Sequence, residues 1–245
     1  MPILYASFSD RFGREKGLGI GGRSRVSSYV RVKICCIRSV EEARTALRMG
    51  AASLGLVSEM PSGPGVSTLS EIASIVAQLP PTTSTFLLTS KQSVEEIIKQ
   101  QKVTGANTLQ LVDTLPKGSH AHLRQMLPAV RLVQVIHVLG QESVEEALSV
   151  ASYVDALLLD SGNPNLAIKE LGGTGRTHNW EVSREIVDRS PVPVYLAGGL
   201  NSNNVCEAIG RVRPYGIDLC SSVRTDDSLH EEKLAHLFQA VRSCI

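Results

Sequence analysis

The stretch RVKICCIRSVEEA, residues 31–43, runs from a β-like segment straight into a helix start. In an extended chain Val32 and Ile34 share one face with Cys36, and Lys33 and Cys35 share the other. Ser39-Val-Glu-Glu42 has the form of a capping box: the serine oxygen accepts from an amide three residues on, and the glutamate reaches back. The same tetrapeptide returns at 93–96 and 143–146, behind the runs STFLLT and LVQVIHV. The three boxes start 54 and 50 residues apart. A strand and its helix need roughly 25 to 30 residues, so each interval holds a second unit.

The intervals contain those units. SLGLV at 53–57 and TLQLVD at 108–113 are the intervening strands. ALLLDS at 156–161, VPVYLAGG at 192–199 and GIDLCSS at 216–222 follow the third box. Eight short strands alternating with helical segments, with no break in composition, predict an α/β fold: a single closed (β/α)8 TIM barrel over residues 31–245. A doubly wound open sheet is the alternative, and it explains the eightfold count less well.

Residues 1–30 read differently. Gly13, Gly17, Gly19, Gly21 and Gly22 are interleaved with Arg11, Arg14, Lys16, Arg23 and Arg25. The segment lacks the apolar run of a signal peptide, and its G-x-G-x-x-G at 17–22 has no strand before it or helix after it. A flexible N-terminal extension is expected there.

The chain of 245 residues is 42% hydrophobic and 20% charged, with a formal net charge of +1. That balance argues against nucleic acid or an anionic membrane surface as the main partner. No apolar window is long enough to span a bilayer. Five scattered cysteines suggest a reducing, cytoplasmic setting rather than a disulfide framework. Monomer and homodimer both remain open.

In such barrels the site lies at the C-terminal ends of the strands. Alternation sends Lys33 and Cys35 into the barrel mouth and packs Cys36 outward as a small hydrophobe. Asp160 ends the apolar run of the sixth strand, as an acid whose proton is held by partial burial. His137 ends the fifth strand. Gly198 and Gly199 let backbone approach an anion, with Asn201 capping the next helix, and Ser221 and Ser222 add donors after the eighth strand. Gly172-Gly-Thr-Gly175 reads as a mobile flap, contributing Gly173 and Gly175. His120-x-His122 reads as exposed. No Cys or His cluster has zinc spacing, so no metal is expected.

Lys33-Ile-Cys35, Leu158-Leu-Asp160, Gly172-Gly-Thr-Gly-Arg-Thr-His-Asn-Trp180, Leu196-Ala-Gly-Gly-Leu200 and Arg213-Pro-Tyr-Gly-Ile-Asp218 together resemble the phosphoribosylanthranilate isomerase family, in order and spacing, from about residue 31 onward. The resemblance implies an isomerase of tryptophan biosynthesis acting on a small phosphorylated sugar by an Amadori rearrangement. It implies Cys35 as general base, Asp160 as general acid, an ionised thiol beside a protonated carboxyl, and no cofactor. Several positions depart from the family pattern. Cys36 stands where glycine is usual. The loop after the second strand has no arginine for the anthranilate carboxylate, and Val112 stands where histidine is usual. Arg224 or His137 is expected to supply the missing positive charge. The same rearrangement on another phosphoribosylamine, or a catalytically silent phosphosugar-binding barrel, are the alternative readings.

Overall fold

The computed structural model describes residues 30–244. The expected flexible extension over 1–30 therefore lies outside the described residues, save for Val30, which is buried.

Eight parallel strands close into a barrel in chain order. They are β1 (Arg31–Ile34), β2 (Ser53–Val57), β3 (Ser84–Thr89), β4 (Thr108–Leu111), β5 (Arg131–His137), β6 (Ala156–Asp160), β7 (Val194–Leu196) and β8 (Gly216–Leu219). Between and after them lie α1 (Val40–Met49), α2 (Leu69–Val76), α3 (Val94–Thr104), α4 (Ser119–Met126), α5 (Glu142–Ala151), α6 (Trp180–Arg189), α7 (Val205–Val212) and α8 (Glu231–Ser243). A short hairpin, Arg224–Thr225 with Ser228–Leu229, follows β8.

Strand alternation divides the core into two layers. Ile34, Leu54, Leu157 and Leu159 join the helices in the larger outer layer. Phe86, Val135, Ala156, Leu158 and Tyr195 fill the barrel itself. Every strand is covered on both faces, which is why β6 reads as an unbroken apolar run before its aspartate.

Two of the three repeated boxes cap helices. Ser39 Oγ accepts from the Glu42 amide at 3.1 Å, and Ser93 Oγ accepts from the Glu96 amide. Gly50 and Gly105 close the same two helices in the left-handed conformation. The third box does not form. A turn on Gly140 starts α5 early, so Ser143 lies inside its first turn. Its hydroxyl instead accepts from Leu139 N and donates to His137 O. A complete reciprocal box caps α2, between Thr68 and Glu71.

Candidate active site

The ends of the strands surround a cavity of about 730 Å³, solvent at its mouth included. β1 contributes its floor. Lys33 is fully buried, and its ammonium lies 2.7 Å from Asp218 Oδ2, its register partner on β8. Cys35 follows on the same face, over Gly55 of β2. A Cβ on Gly55 would fall 2.7 Å from the Cys35 sulfur and 2.9 Å from Lys33 Nζ, so only glycine leaves room for both.

Burial pushes the Cys35 thiol up to about 11, and the neighbouring Lys33 charge pulls it down without prevailing. The free cavity therefore holds a thiol, not the ionised sulfur expected from the resemblance. Burial works against the Lys33 ammonium, but Asp218 and the Cys35 sulfur together outweigh it and hold that group above its ordinary value. Asp218 Oδ1 is buried without a hydrogen-bond partner, and Asp218 lines the cavity.

The expectation for Cys36 is corrected. The strand ends at Ile34, and Cys36 takes a left-handed turn at φ 64. Alternation stops there, so Cys36 joins Cys35 in the inner layer and lines the same cavity. It is disulfide-bonded to Cys220, beyond β8, across 6.0 Å between Cα atoms. A second disulfide, Cys206–Cys244, ties α7 to the end of α8. Against the expectation from cysteine count, four of the five cysteines are paired; Cys35 is free.

Asp160 comes from β6, is 8% exposed and lines the cavity. Its Oδ1 accepts from the Ser161 amide at 2.7 Å. The loop after β6 passes over it at Gly172, where a Cβ would come within 2.8 Å of Oδ2. The rest of that loop roofs the cavity by touching the loop after β2. Ser62 Oγ donates to Lys169 O at 2.6 Å, and Gly173 lies so close to Pro64 that a Cβ would meet its ring at 2.6 Å.

Gly198 and Gly199 both have positive φ and bring the end of β7 under the same loop. A Cβ on Gly199 would strike the Arg176–Thr177 backbone at 2.7 Å. Ser221 opens a single 3-10 turn after β8. Asn201 is corrected: it organises a turn ahead of α7, accepting from Asn203 N, and the helix begins at Val205 behind Asn204.

Of the residues singled out from sequence, Cys35, Asp160, Gly173, Gly175, Gly198, Gly199 and Ser221 line this cavity. Ser222, His137 and Arg224 do not. Ser222 Oγ is buried away from it without a partner. His137 Nε2 lies 2.9 Å from Val112 O, and Gly162 covers the other ring nitrogen. Arg224 is buried against Glu42 at 2.9 and 3.0 Å and also donates to the Cys36 and Asp227 carbonyls. Its guanidinium is thus committed to a buried ion pair rather than available to a substrate. Burial raises the Glu42 carboxyl, but the bonds from Arg224, Leu229 N and Arg38 N hold it below its ordinary value. His120 is also corrected: it is half-buried, 2.8 Å from Gln134 Oε1.

Sequence reasoning did not assign roles to Asp218, Cys220 or the apolar wall of Val57, Met60, Leu88, Val112 and Leu171. Asp218 carried a signal, since Gly216-Ile-Asp-Leu219 alternates as β1 does and sets its carboxylate opposite Lys33. Cys220 carried none, because its partner is 184 residues away. Among the described residues no cluster of three or more His, Cys, Asp or Glu is placed to hold a metal, and no helix is long and apolar enough to cross a membrane.

The chain matches the family model for N-(5'-phosphoribosyl)anthranilate (PRA) isomerase over residues 32–240. It is 33% identical to the N-(5'-phosphoribosyl)anthranilate isomerase of Methanocella arvoryzae over 208 residues, 85% of this chain and 95% of that one. It is 34% identical to that of Nostoc punctiforme, covering 87% and 99%. Among solved structures, phosphoribosyl anthranilate isomerase from Thermotoga maritima superposes with a TM-score of 0.76 at 25% identity, over 88% of this chain and all of the other. A family member solved with reduced 1-(O-carboxyphenylamino)-1-deoxyribulose 5-phosphate shares the fold, with a TM-score of 0.74 at 23% identity over the same spans. A barrel of this order, a free thiol and a carboxylate in one glycine-roofed cavity, and these matches along nearly its whole described length agree: the chain belongs to the N-(5'-phosphoribosyl)anthranilate isomerase family.

Proposed function

We propose that the protein converts N-(5'-phosphoribosyl)anthranilate to 1-(2-carboxyphenylamino)-1-deoxyribulose 5-phosphate, in tryptophan biosynthesis, with Asp160 as general acid and Cys35 as general base. The observation that carries the assignment is that this carboxylate, at the end of β6, and the free thiol, just past β1, line one cavity. Asp160 gives a proton to the furanose ring oxygen; the C1–O bond breaks and the nitrogen lone pair forms an iminium. Cys35, once its own proton has passed to solvent at the cavity mouth, removes the C2 proton as the thiolate, and the electron pair moves into an enolamine that tautomerises to the C2 ketone. The substrate nitrogen is the electron sink. Gly173, Gly175, Gly198, Gly199 and Ser221 sit where backbone amides and a hydroxyl can meet the phosphate, after strands 6 to 8. The buried ammonium of Lys33 beside Cys35 lowers the cost of forming the thiolate that accepts the C2 proton.

One observation favours a second reading, the same rearrangement on an amine without a carboxylate. Among the described residues no Lys, Arg or His lines the cavity, and Val57, Met60, Leu88, Val112 and Leu171 make the wall around Gln110 largely apolar.

Both readings are tested by following loss of anthranilate-adduct fluorescence with the purified full chain, beside absorbance turnover of the matching aniline adduct. Cys35→Ala and Asp160→Asn are each expected to lower kcat by about a hundredfold or more, with exposed Lys102→Ala as control. A loss below tenfold for either overturns the assignment. Turnover of the aniline adduct alone replaces the first reading with the second.

A further inference from the structure

We propose that Cys36 and Cys220 are a positioning pair: their disulfide holds the turn at Cys36, and through it the inward aim of Cys35 and the seat of Ser221. The inference rests on the reading of Cys35 as base.

The chain reverses its pairing at Cys36. Cys35 N donates to Leu219 O on the β8 side at 2.8 Å, whereas Ile37 N donates to Gly55 O on the β2 side at 2.9 Å. In a regular strand those two amides would point the same way. The reversal takes Cys36 to φ 64, a region that a side chain other than glycine or asparagine populates about fivefold less or worse. Something must hold it there: two bonds do, and a glycine leaves the room. The Cys36 sulfur is bonded to Cys220, the residue that opens the 3-10 turn of Ser221. The Cys36 carbonyl accepts from Arg224. Gly65 leaves the space, since a Cβ there would lie 2.5 Å from that of Cys36. Cys36, Cys220 and Ser221 all line the cavity beside Cys35, so the bridge couples the turn that presents the base to the turn that presents the phosphate hydroxyl.

Reduction unties them. A dithiol such as dithiothreitol attacks the bridge, the S–S bond breaks, Cys36 and Cys220 each take a proton as thiols, and dithiothreitol closes to its cyclic disulfide. Glutathione disulfide reverses the change and leaves as two glutathione thiols. Cys35, kept protonated by burial, stays a poor nucleophile toward the neighbouring bridge.

The test uses the full chain, oxidised with glutathione disulfide or reduced with dithiothreitol, and reads kcat, KM and the alkylation rate of Cys35, with peptide mapping of the bridge. Reduction is expected to lower kcat about fivefold, to change KM less, and to speed Cys35 alkylation. Cys36→Gly, which takes the left-handed turn freely but leaves Ser221 untied, is expected to have a kcat between those of the oxidised and reduced parent, above that of the alanine variant, and to ignore dithiothreitol. Cys36→Ala, which does not, is expected to keep the lower kcat of the reduced parent. Cys206→Ser, at the other disulfide, leaves the difference between oxidised and reduced enzyme in place. Absence of the bridge from oxidised protein, equal or higher kcat on reduction, or equal Gly and Ala variants would overturn the proposal. If neither form turns over the substrate, the isomerase reading falls instead. The pair is then judged on alkylation alone, where equal rates in the two states reject it.

Discussion

Cys35 shows at the scale of one residue how burial and charge compete. Loss of water disfavours the thiolate, the Lys33 ammonium favours it, and burial prevails, so the thiol is pushed up to about 11. Only the thiolate is alkylated. The rate at which iodoacetamide modifies Cys35 in the oxidised protein should therefore rise about tenfold per pH unit between about pH 7 and pH 10. A plateau beginning below pH 9 would mean that Lys33 outweighs burial after all. The identity of this thiol was legible in the sequence, because alternation from Val32 set it on the face of Lys33. Its protonation was not, because desolvation depends on Gly55 and on strands distant in the chain. The same limit explains Cys36: a two-residue period says nothing of where a strand stops and a left-handed turn begins.

At the scale of elements, the eight strands lie where their apolar runs put them, since hydrophobic period and turn chemistry are local. Helix starts are less secure. The SVEE motif caps α1 and α3, yet at 143–146 it is overruled by a turn on Gly140 that begins α5 one residue before the serine. The box at Thr68, spelled TLSE, is complete although it is not one of the repeats. Replacing Thr68 with Ala should lower the free energy of unfolding by about 1 kcal/mol. Gln141→Ala, at an N-cap with no side-chain bond to its helix, should change it by less than about 0.5 kcal/mol. Urea denaturation of the two variants checks this, and equal effects would show that capping does not set the difference.

The molecule as a whole is closed by the loop after β6, and one half-buried side chain there links its stability to acid. His178, bonded through Nε2 to Ser183 at 2.7 Å, is pushed down to about 4 by burial, against a smaller upward pull from Asp160. The unfolded chain, with its ordinary value of 6.5, takes up the proton first. The histidine's contribution is thus present above pH 6.5 and lost as pH falls toward 4, by up to about 3 kcal/mol. Unfolding curves of the parent and His178→Gln should accordingly converge by that amount between pH 7 and pH 4; a constant gap would refute the linkage. The sequence by itself determined the barrel, its eight strands, and the presence of Cys35, Asp160 and the glycines at strand ends, because periodicity and chain order are properties of neighbours. Only the tertiary structure decided that Cys36 bonds Cys220, that Arg224 is held by Glu42 rather than free for a substrate, that Asp218 faces Lys33, and that the thiol rests protonated. The first three depend on side chains that meet across more than 180 residues of chain, and the fourth on how much water the folded walls exclude; no local pattern encodes either.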